Sequence, residues 1–559
     1  MRPQKIHPLI LEAREGLQQN KVTRRDFLRF CTYLGLSLGT AHVLAGCTPE
    51  PAPQASPEAP PAATQAPVTG PVRGGTLKVA RQVFRVDHPA RFSTAVQEAG
   101  PWRHVCEHLT ISDAEGNMLP WLLASWEPSD DLLVWKLNLQ QGVKFNNGKD
   151  FTADDVVFNF QQWLNVDVGS SMAGILNYLT IEGVKKVDTH TVELSLTEPS
   201  ISVAYDLYQY PSEIVPAGFG GDLTLEPVGT GPFTMAEFTP GERARLVKRP
   251  DYWRNGADGM PLPYLDELIF VDLGPDRTAD LTALQTGEVD TTAEPTIDMW
   301  EVVKEDDRFV VDSAPSASTR ILRVRVDQDP WTDNNVRLAL KHCHQRQNIL
   351  ASAYRGQGTN GNDSHVAPAH IDFSGEVEPF PYDTQKAKDL LAQAGFPNGL
   401  DVTLIVNNEE RESLNYAQVL KQDAAAAGFN ITINPMPPTQ YWEGWDQFNC
   451  SITWWAHRPL AHQVLTLGYT RDKDGNLVAW NESKWADDEF DQLLREAQRT
   501  LDLAERKKVV AKLETIQKER GSICSPFFLD VFTAVDKRVK NLVTQKDEIP
   551  NYHEVWKEA

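Results

Sequence analysis

Two groups of histidines have types and spacings that could bind a metal ion. His104, Glu107 and His108 follow the order His-x-x-Glu-His, which is found in some zinc proteases. In a helix the two histidines would lie one turn apart, but no third ligand is evident, so we expect a structural role. His342 and His344 flank a cysteine and would point to different helix faces, which makes a poor chelate. The sequence therefore predicts no metal ion.

Other catalytic signatures are also missing from the sequence. It contains no Gly-x-Ser-x-Gly motif, phosphate-binding loop, dinucleotide-binding glycine pattern or clustered cysteines. We therefore expect no enzyme activity and no cofactor, with an exported enzyme as the alternative. The cysteines of the body either pair or remain as buried free thiols, and the sequence leaves both open. These are Cys106, Cys343, Cys450 and Cys524.

Aromatic and basic side chains in the second half of the chain could instead contact a small molecule. Trp454, Trp455 and Tyr441 could stack on sugar rings or on arginine. Neighbours on a strand face opposite sides, so at most one of the two adjacent tryptophans is expected to reach a ligand. Arg323 and Arg325 alternate along a predicted strand and share one face. That face is either ligand-binding or a charged, solvated strand edge.

The composition limits the class of protein. The chain has 559 residues, with 54 basic and 77 acidic side chains and a net charge of -23. This acidity argues against a nucleic-acid partner, because phosphate binding needs clustered lysine and arginine. The 41% hydrophobic and 23% charged residues are typical of globular proteins and exclude a disordered or coiled-coil chain. The length predicts several domains.

The first part of the chain has the features of an export signal. Arg24 and Arg25 stand one residue before a Phe-Leu pair, which matches the twin-arginine pattern. The apolar run that follows is too short and too polar to span a membrane. It ends in Leu-Ala-Gly-Cys47, which resembles the lipobox of bacterial lipoproteins. We expect residues 1–46 to be removed and Cys47 to carry a lipid that anchors the protein in the cell membrane.

A proline-rich segment separates this signal from the body. Residues 48–71 contain eight prolines and no aromatic residue. Such a segment cannot bury enough apolar surface to fold, and proline favours an extended chain of ~3 Å per residue, a reach of roughly 70 Å. We therefore expect residues 47–72 to form a disordered tether.

The body alternates helix and strand patterns. Thr152 and Asp155 form a capping-box pattern before an amphipathic helix. Residues 402–406, 414–427 and 430–434 predict a strand, a helix and a parallel second strand. The body is therefore α/β. Further predicted strands lie at 76–80, 134–139 and 191–196, and further helices at 387–394 and 490–497.

Several blocks resemble the family 5 extracellular solute-binding proteins, the oligopeptide-, dipeptide- and nickel-binding receptors of ABC importers. The blocks occur in the family's order and span almost the whole body. They are GGTLKV at 74–79, GNMLPWLLASW at 116–126, GVKFNNG at 142–148, TADDVVF at 152–158, PVGTGPF at 227–233, LQTGEVD at 284–290, YDTQKAKDLLAQAG at 382–395 and EFDQLL at 489–494.

The resemblance implies a two-lobed periplasmic-binding-protein clamp of the oligopeptide-binding type, with an extra domain inserted in the first lobe. Domain I would comprise residues 73–115, 225–318 and 526–559, the inserted domain II residues 116–224, and domain III residues 319–525. A ligand would bind between the lobes, and hinge closure would present it to a membrane permease. The implied partners are a small molecule or short peptide and the permease and ATPase of the importer, with the receptor itself a monomer outside the cytoplasm.

The resemblance also indicates where this chain departs from peptide receptors. In those receptors an aspartate at the position of His457 holds the ligand's ammonium group. Here His457 is followed by Arg458, and the strand with Arg323 resembles one that borders the cleft. We expect a cationic patch and an anionic or polyhydroxylated ligand, with a conventional oligopeptide receptor as the alternative. The expected ligand-binding set is Trp454, Trp455, His457, Arg458, Arg323, Tyr441 and Glu98, with Arg325 beside it.

Overall fold

The computed structural model of the chain describes residues 70–93, 97–472 and 474–558. The predictions made for residues 1–46, for Cys47 and for most of the tether lie outside the described residues. Within the described ranges, no helix is both long enough and apolar enough to cross a membrane.

Strands are numbered in chain order. They are β1 Thr76–Ala80, β2 Thr110–Ser112, β3 Met118–Pro120, β4 Leu123–Pro128, β5 Val134–Leu139, β6 Leu179–Asp188, β7 Thr191–Leu196, β8 Phe233–Thr239, β9 Arg243–Lys248, β10 Glu267–Val271, β11 Thr291–Thr292, β12 Phe309–Val324, β13 Gly358–Asn360, β14 Leu400–Asn407, β15 Phe429–Met436, β16 Cys450–Trp455, β17 Ile523–Cys524, β18 Phe527–Asp536, β19 Val539–Lys540 and β20 Trp556–Lys557.

The α-helices are numbered in the same way. They are α1 Ala99–Trp102, α2 Ala153–Leu164, α3 Met172–Ile175, α4 Val203–Asp206, α5 Arg277–Thr286, α6 Ile297–Val303, α7 Asn334–Lys341, α8 Arg346–Tyr354, α9 Thr384–Gln393, α10 Arg411–Ala425, α11 Pro438–Gly444, α12 Ala461–Gly468, α13 Asp488–Gln498 and α14 Leu503–Arg520.

A mixed sheet runs through most of the molecule in the order β15-β14-β16-β12-β18-β11-β1-β10-β9-β8. Its centre is the antiparallel pair of the long strands β12 and β18, whose register shifts between Pro315 and Thr319. The first half of β12 pairs only with β18, whereas its second half also pairs with β16. These two strands therefore connect the half of the sheet built on β1 with the half built on β14 to β16. The register shift lies next to the predicted boundary between domains I and III, which stays a prediction.

The predicted strand–helix–strand unit is confirmed. β14 and β15 are parallel in register from Leu400 with Phe429 to Asn407 with Met436, and α10 connects them. The buried face of α10 includes Tyr416 and Leu420, which pack in the same core as β14. Apolar residues on one helix face and alternating along the strands are sufficient to specify this unit locally.

A separate antiparallel sheet, in the order β4-β5-β7-β6, lies within residues 123–196. Helix α2 packs on it, with Val156, Phe160 and Trp163 buried. The predicted capping box is confirmed, because the Thr152 hydroxyl accepts from the Asp154 amide and the Asp155 carboxylate accepts from the Thr152 amide. This sheet lies inside the segment predicted as the inserted domain.

Candidate ligand-binding cavity

A cavity of about 930 Å³ lies where the two halves of the main sheet and the small-sheet segment meet. Residues 292–297, 529–533 and 544–550 line it from the β1 half. Residues 208–210 line it from the segment after the small sheet, and residues 453–459 from the end of β16. The cavity is therefore bordered by all three segments that the sequence predicted as domains.

Four of the predicted ligand-binding residues border this cavity: Trp454, Trp455, His457 and Arg458. Trp454 is 42% exposed, whereas Trp455 is 6% exposed and donates its Nε1 proton to Glu482 at 3.0 Å. The prediction that at most one of the two tryptophans would reach the cavity is wrong. β16 ends at Trp455 and the cavity follows the chain around that end, so side chains from both strand faces border it.

His457 is not the cation that the sequence predicted. Its Nδ1 accepts a hydrogen bond from the Ala317 amide at 3.0 Å, so that nitrogen carries no proton. Burial lowers the pKa of His457 well below its usual value, and the nearby His370, Lys546 and Arg458 act in the same direction. His457 is therefore neutral at neutral pH and supplies at most one Nε2 donor.

Arg458 is the cation of this segment. One nitrogen of its guanidinium donates to the carbonyl oxygen of His457 at 2.9 Å, and no carboxylate of the described residues forms an ion pair with it. Burial lowers its pKa, while Tyr210 and Asp206 favour the charged form. Arginine stays protonated despite such a shift. Arg458 therefore brings a positive charge with unused donors to the cavity wall.

Asp206 connects two segments of the chain that border the cavity. Its carboxylate accepts from Tyr178 at 2.7 Å, from Ser202 at 2.6 Å and from Gln463 at 2.9 Å. Burial raises its pKa to about 6, although these hydrogen bonds and Arg458 oppose the shift. Gln463 belongs to α12, just beyond Arg458, so this hydrogen bond joins the segment after β7 to the segment after β16.

The prediction that Arg323 and Arg325 line the cavity is wrong. Arg323 is fully buried, forms an ion pair with Glu482 at 3.0 Å, and also donates to two backbone carbonyl oxygens in the loop before β16. Arg325 pairs with Asp327 at 2.6 Å and donates to the Asp446 carbonyl oxygen. The two arginines do share a face, but β12 is an interior strand and that loop covers the face.

Tyr441 and Glu98 are also absent from the described cavity wall. Tyr441 is fully buried and its hydroxyl donates to the Ile452 carbonyl oxygen at 2.6 Å, which ties α11 to β16. Glu98 accepts a hydrogen bond from the Ser93 hydroxyl at 2.9 Å. The residues that border the cavity here are Ser93 and Gln97, and Glu98 does not.

Most residues of the wall were not predicted from the sequence, and three of them matter most for binding: Trp442, Trp480 and Asp530. Trp442 in α11 and Trp480 in a loop are 39% and 47% exposed. Asp530 lies in the middle of β18, with no side-chain partner among the described residues, and burial raises its pKa. The sequence does contain a signal for Asp530, because it is the one carboxylate inside the otherwise apolar run Phe527–Phe532.

The His104 to His108 stretch is a turn after α1, so its histidines do not share a helix face. Glu107 accepts from Tyr252 at 2.5 Å, from Trp121 at 2.7 Å and from Trp253 at 3.1 Å. Glu107 thus has a structural role, in agreement with the expectation. No group of potential metal ligands is found among the described residues.

The alternatives for the cysteines are resolved. Cys106, Cys343, Cys450 and Cys524 are free and buried. Burial raises the pKa of all four thiols, which disfavours the reactive thiolate.

Two sheet halves joined by long strands around a cavity define a two-lobed, clamp-type binding protein. The sequence places the chain in a known family of this class. It belongs to the bacterial extracellular solute-binding proteins, family 5, whose model for the middle region matches residues 117–476.

Known proteins that the chain is similar to bind different solutes according to their names. It is 26% identical over 504 residues to di/tripeptide-binding protein 1 of Pseudomonas aeruginosa, covering 84% of this chain and 91% of that protein. It is 26% identical over 457 residues to heme-binding protein A of Haemophilus influenzae, covering 76% and 81%. The structure of AgaA from A. tumefaciens R10 in complex with agropinic acid matches with a TM-score of 0.71 at 22% identity, covering 87% of this chain and 99% of AgaA.

Proposed function

We propose that this protein is an extracytoplasmic receptor that binds an anionic small molecule and delivers it to the permease and ATPase of an ABC importer. In this proposal the receptor acts as a monomer, and a lipid on Cys47 and the proline-rich tether keep it at the membrane. One observation carries the ligand class: Arg458 presents a guanidinium to the cavity without a carboxylate partner.

The other cations of the cavity wall are already engaged. Arg277 pairs with Glu294 and Asp280, and Arg320 lies 3.4 Å from Glu410. Lys546 donates to the Glu115 carbonyl oxygen at 2.9 Å. Arg458 therefore has the greatest remaining capacity for an anion, and its planar donors suit a carboxylate or phosphate.

The solutes named for the relatives of this chain are compatible with this proposal. The ligand named for the AgaA structure is an acid. The relatives named as peptide and heme receptors indicate that one fold accepts different solutes. The alternative of a conventional peptide receptor is favoured by Asp530, because its carboxylate has no side-chain partner among the described residues and could accept hydrogen bonds from an ammonium group. His457 is a poor replacement for the aspartate of peptide receptors, since its Nδ1 is already an acceptor for Ala317.

A binding screen followed by one substitution tests the proposal. Thermal-shift measurements would compare small carboxylates, sugar acids and sugar phosphates with their neutral analogues, and calorimetry would then quantify the best ligand. We expect Arg458→Gln to cost ~2–5 kcal/mol of binding free energy, because a charged hydrogen bond in a closed cavity is lost. Mass spectrometry of molecules that co-purify with the protein gives an independent identification.

The matched control is Arg243→Gln. Arg243 on β9 forms an exposed ion pair with Glu237 on β8, away from the cavity wall, and its substitution should change binding by less than ~1 kcal/mol. Equal binding by wild type and Arg458→Gln, or tighter binding of neutral analogues, would contradict an anionic ligand.

A further inference from the structure

Three tryptophans differ from the other described tryptophans in their exposure. Trp442, Trp454 and Trp480 are 39%, 42% and 47% exposed, and all three border the same cavity. A solvent-exposed indole face is unfavourable, and exposed apolar surface concentrated in one place marks a binding site. All three come from the β14 to β16 half of the molecule, and we call these three cavity-lining rings the tryptophan platform.

Each ring of the tryptophan platform is held by neighbours. Trp454 Nε1 donates to the Ser318 hydroxyl at 3.3 Å. Trp442 makes an edge contact with Tyr441, with ring centroids 5.2 Å apart, and Trp480 makes one with Trp455 at 5.9 Å. Rings that are already positioned lose little conformational freedom when a ligand stacks on them.

The rest of the wall supplies acceptors as well as donors. Asp530 offers a partly buried carboxylate without a side-chain partner, Arg458 offers guanidinium donors, and Gln545 offers an amide. A purely apolar ring would leave Asp530 desolvated without a hydrogen bond, which is costly. A sugar ring has an apolar C–H face for an indole and a rim of hydroxyls that both donate and accept.

We propose that the tryptophan platform stacks pyranose rings and that the ligand is a short acidic oligosaccharide. Its carboxylate binds Arg458, and its hydroxyls donate to Asp530. The assignment of the charge rests on the proposed function, whereas the assignment of the rings rests on the tryptophans alone. A cavity of about 930 Å³ lies at the upper end of the size range for drug-sized ligands, which suits two or three sugar rings.

The test uses uronic-acid trimers, trigalacturonate and the alginate trimers, together with their methyl esters and the tripeptide Gly-Trp-Gly. Titrations are followed by tryptophan fluorescence and by calorimetry. We expect an acidic trimer to bind and Trp454→Ala to weaken it roughly 10- to 30-fold, since truncation of a central aromatic contact has an effect of this size. Trp454→Phe should restore part of the affinity, because it keeps a ring face.

The control is Phe84→Ala, which removes an aromatic side chain that is 44% exposed but does not border the cavity, and should leave the affinity unchanged. Thermal unfolding of each variant confirms that it is folded. If the methyl esters bind as tightly as the acids and still depend on Trp454, the sugar platform is supported and the anionic ligand is wrong. If no uronate trimer binds, or if only Gly-Trp-Gly or sugar-free carboxylates bind, the sugar platform is wrong.

Discussion

Arg323 and Arg458 have the same side chain, but the charge of Arg323 is paired with a carboxylate and the charge of Arg458 is not. The guanidinium of Arg323 is saturated by Glu482 and by two backbone carbonyl oxygens, so it has nothing left for a ligand. Arg458 donates to a single backbone oxygen at a cavity wall. A buried charge that is fully paired contributes to the structure, whereas a charge with open donors in a cavity is available for binding.

We therefore expect Arg323→Met to reduce stability rather than ligand affinity in folded protein. Glu482 would lose its counter-charge while it still accepts from Thr453 at 2.7 Å and from Trp455 at 3.0 Å. Breaking a buried pair by removing one partner costs ~3–5 kcal/mol of unfolding free energy. Urea denaturation measures this loss. Arg325→Met is the control, since its partner Asp327 is partly exposed, and it should cost under ~1 kcal/mol. Equal losses in both variants would disprove the difference.

At the level of elements, the block at 227–233 contains two glycines because another segment of the chain packs directly against its backbone. Gly229 and Gly231 lie directly against the backbone of the turn after α1. A Cβ atom on Gly229 would lie 2.0 Å from the Val105 carbonyl oxygen, and one on Gly231 would lie 2.5 Å from the His104 carbonyl oxygen. The Gly231 amide donates to the Val105 oxygen at 2.8 Å, so the two segments are in hydrogen-bond contact. Only glycine permits this approach.

Gly231→Ala should therefore destabilise the protein. The new methyl group meets backbone atoms that cannot move independently, and such overpacking costs ~1–3 kcal/mol. The midpoint of urea unfolding reports the change. In Gly174→Ala, the control in α3, the added Cβ meets nothing within 4 Å, so little or no loss is expected. An unchanged midpoint for Gly231→Ala would show that the two segments separate easily.

Elements specified by local patterns could be predicted from the sequence, and the cavity wall only in part. The capping box at Thr152 and the unit around α10 depend on residues a few positions apart. The burial of Arg323 depends instead on β16 and on a loop more than a hundred residues away. Asp530 reaches the cavity through the pairing of β18 with β12, in which it lies opposite Pro315. No local pattern contains that information. The family resemblance pointed to the segment with Trp454 and Arg458, which borders the cavity, and their role in binding stays a prediction.

At the scale of the whole molecule, buried histidines make stability depend on pH. Burial lowers the pKa of nine described histidines, to about 4 for His370 and about 3 for His365. The nine are His88, His104, His108, His344, His365, His370, His457, His462 and His553. Each is neutral in the folded state but takes up a proton near pH 6.5 once it is unfolded.

The unfolding free energy should therefore fall as the pH falls from about 7 to about 5. The unfolded state binds more protons in this window, and each histidine contributes up to ~2 kcal/mol of loss at pH 5. Carboxyl groups whose pKa burial raises act in the opposite direction, and the largest shifts are those of Asp206, to about 6, Glu514, to about 7, and Glu213, well above its usual value. These three strongly shifted carboxyl groups are fewer than the nine histidines. Urea unfolding at pH 7.5 and 5.0 in high salt, which screens the acidic surface, measures the difference. A constant or rising stability would contradict this prediction.

The proposed delivery to a permease requires the receptor to stay near the membrane, and the predicted lipid on Cys47 would anchor it there. A single acyl chain holds a protein only weakly, whereas the two or three chains of a processed lipobox cysteine bind a membrane stably. We expect the wild type to fractionate with membranes in a host that processes lipoproteins. Cys47→Ser should shift the protein to the soluble fraction, and its mass in mass spectrometry should be that of a chain without lipid.

The control for this experiment is Cys31→Ser, which changes a cysteine inside the predicted signal. It should remain in the membrane fraction, because residues 1–46 are predicted to be removed and the lipid-bearing cysteine is unchanged. Replacing Arg24 and Arg25 by lysine should instead block export and leave unprocessed precursor in the cytoplasm. If wild type and Cys47→Ser are both soluble and of equal mass, no lipid is attached. The body would then have to reach its permease by free diffusion, and the predicted tether would have no role in delivery.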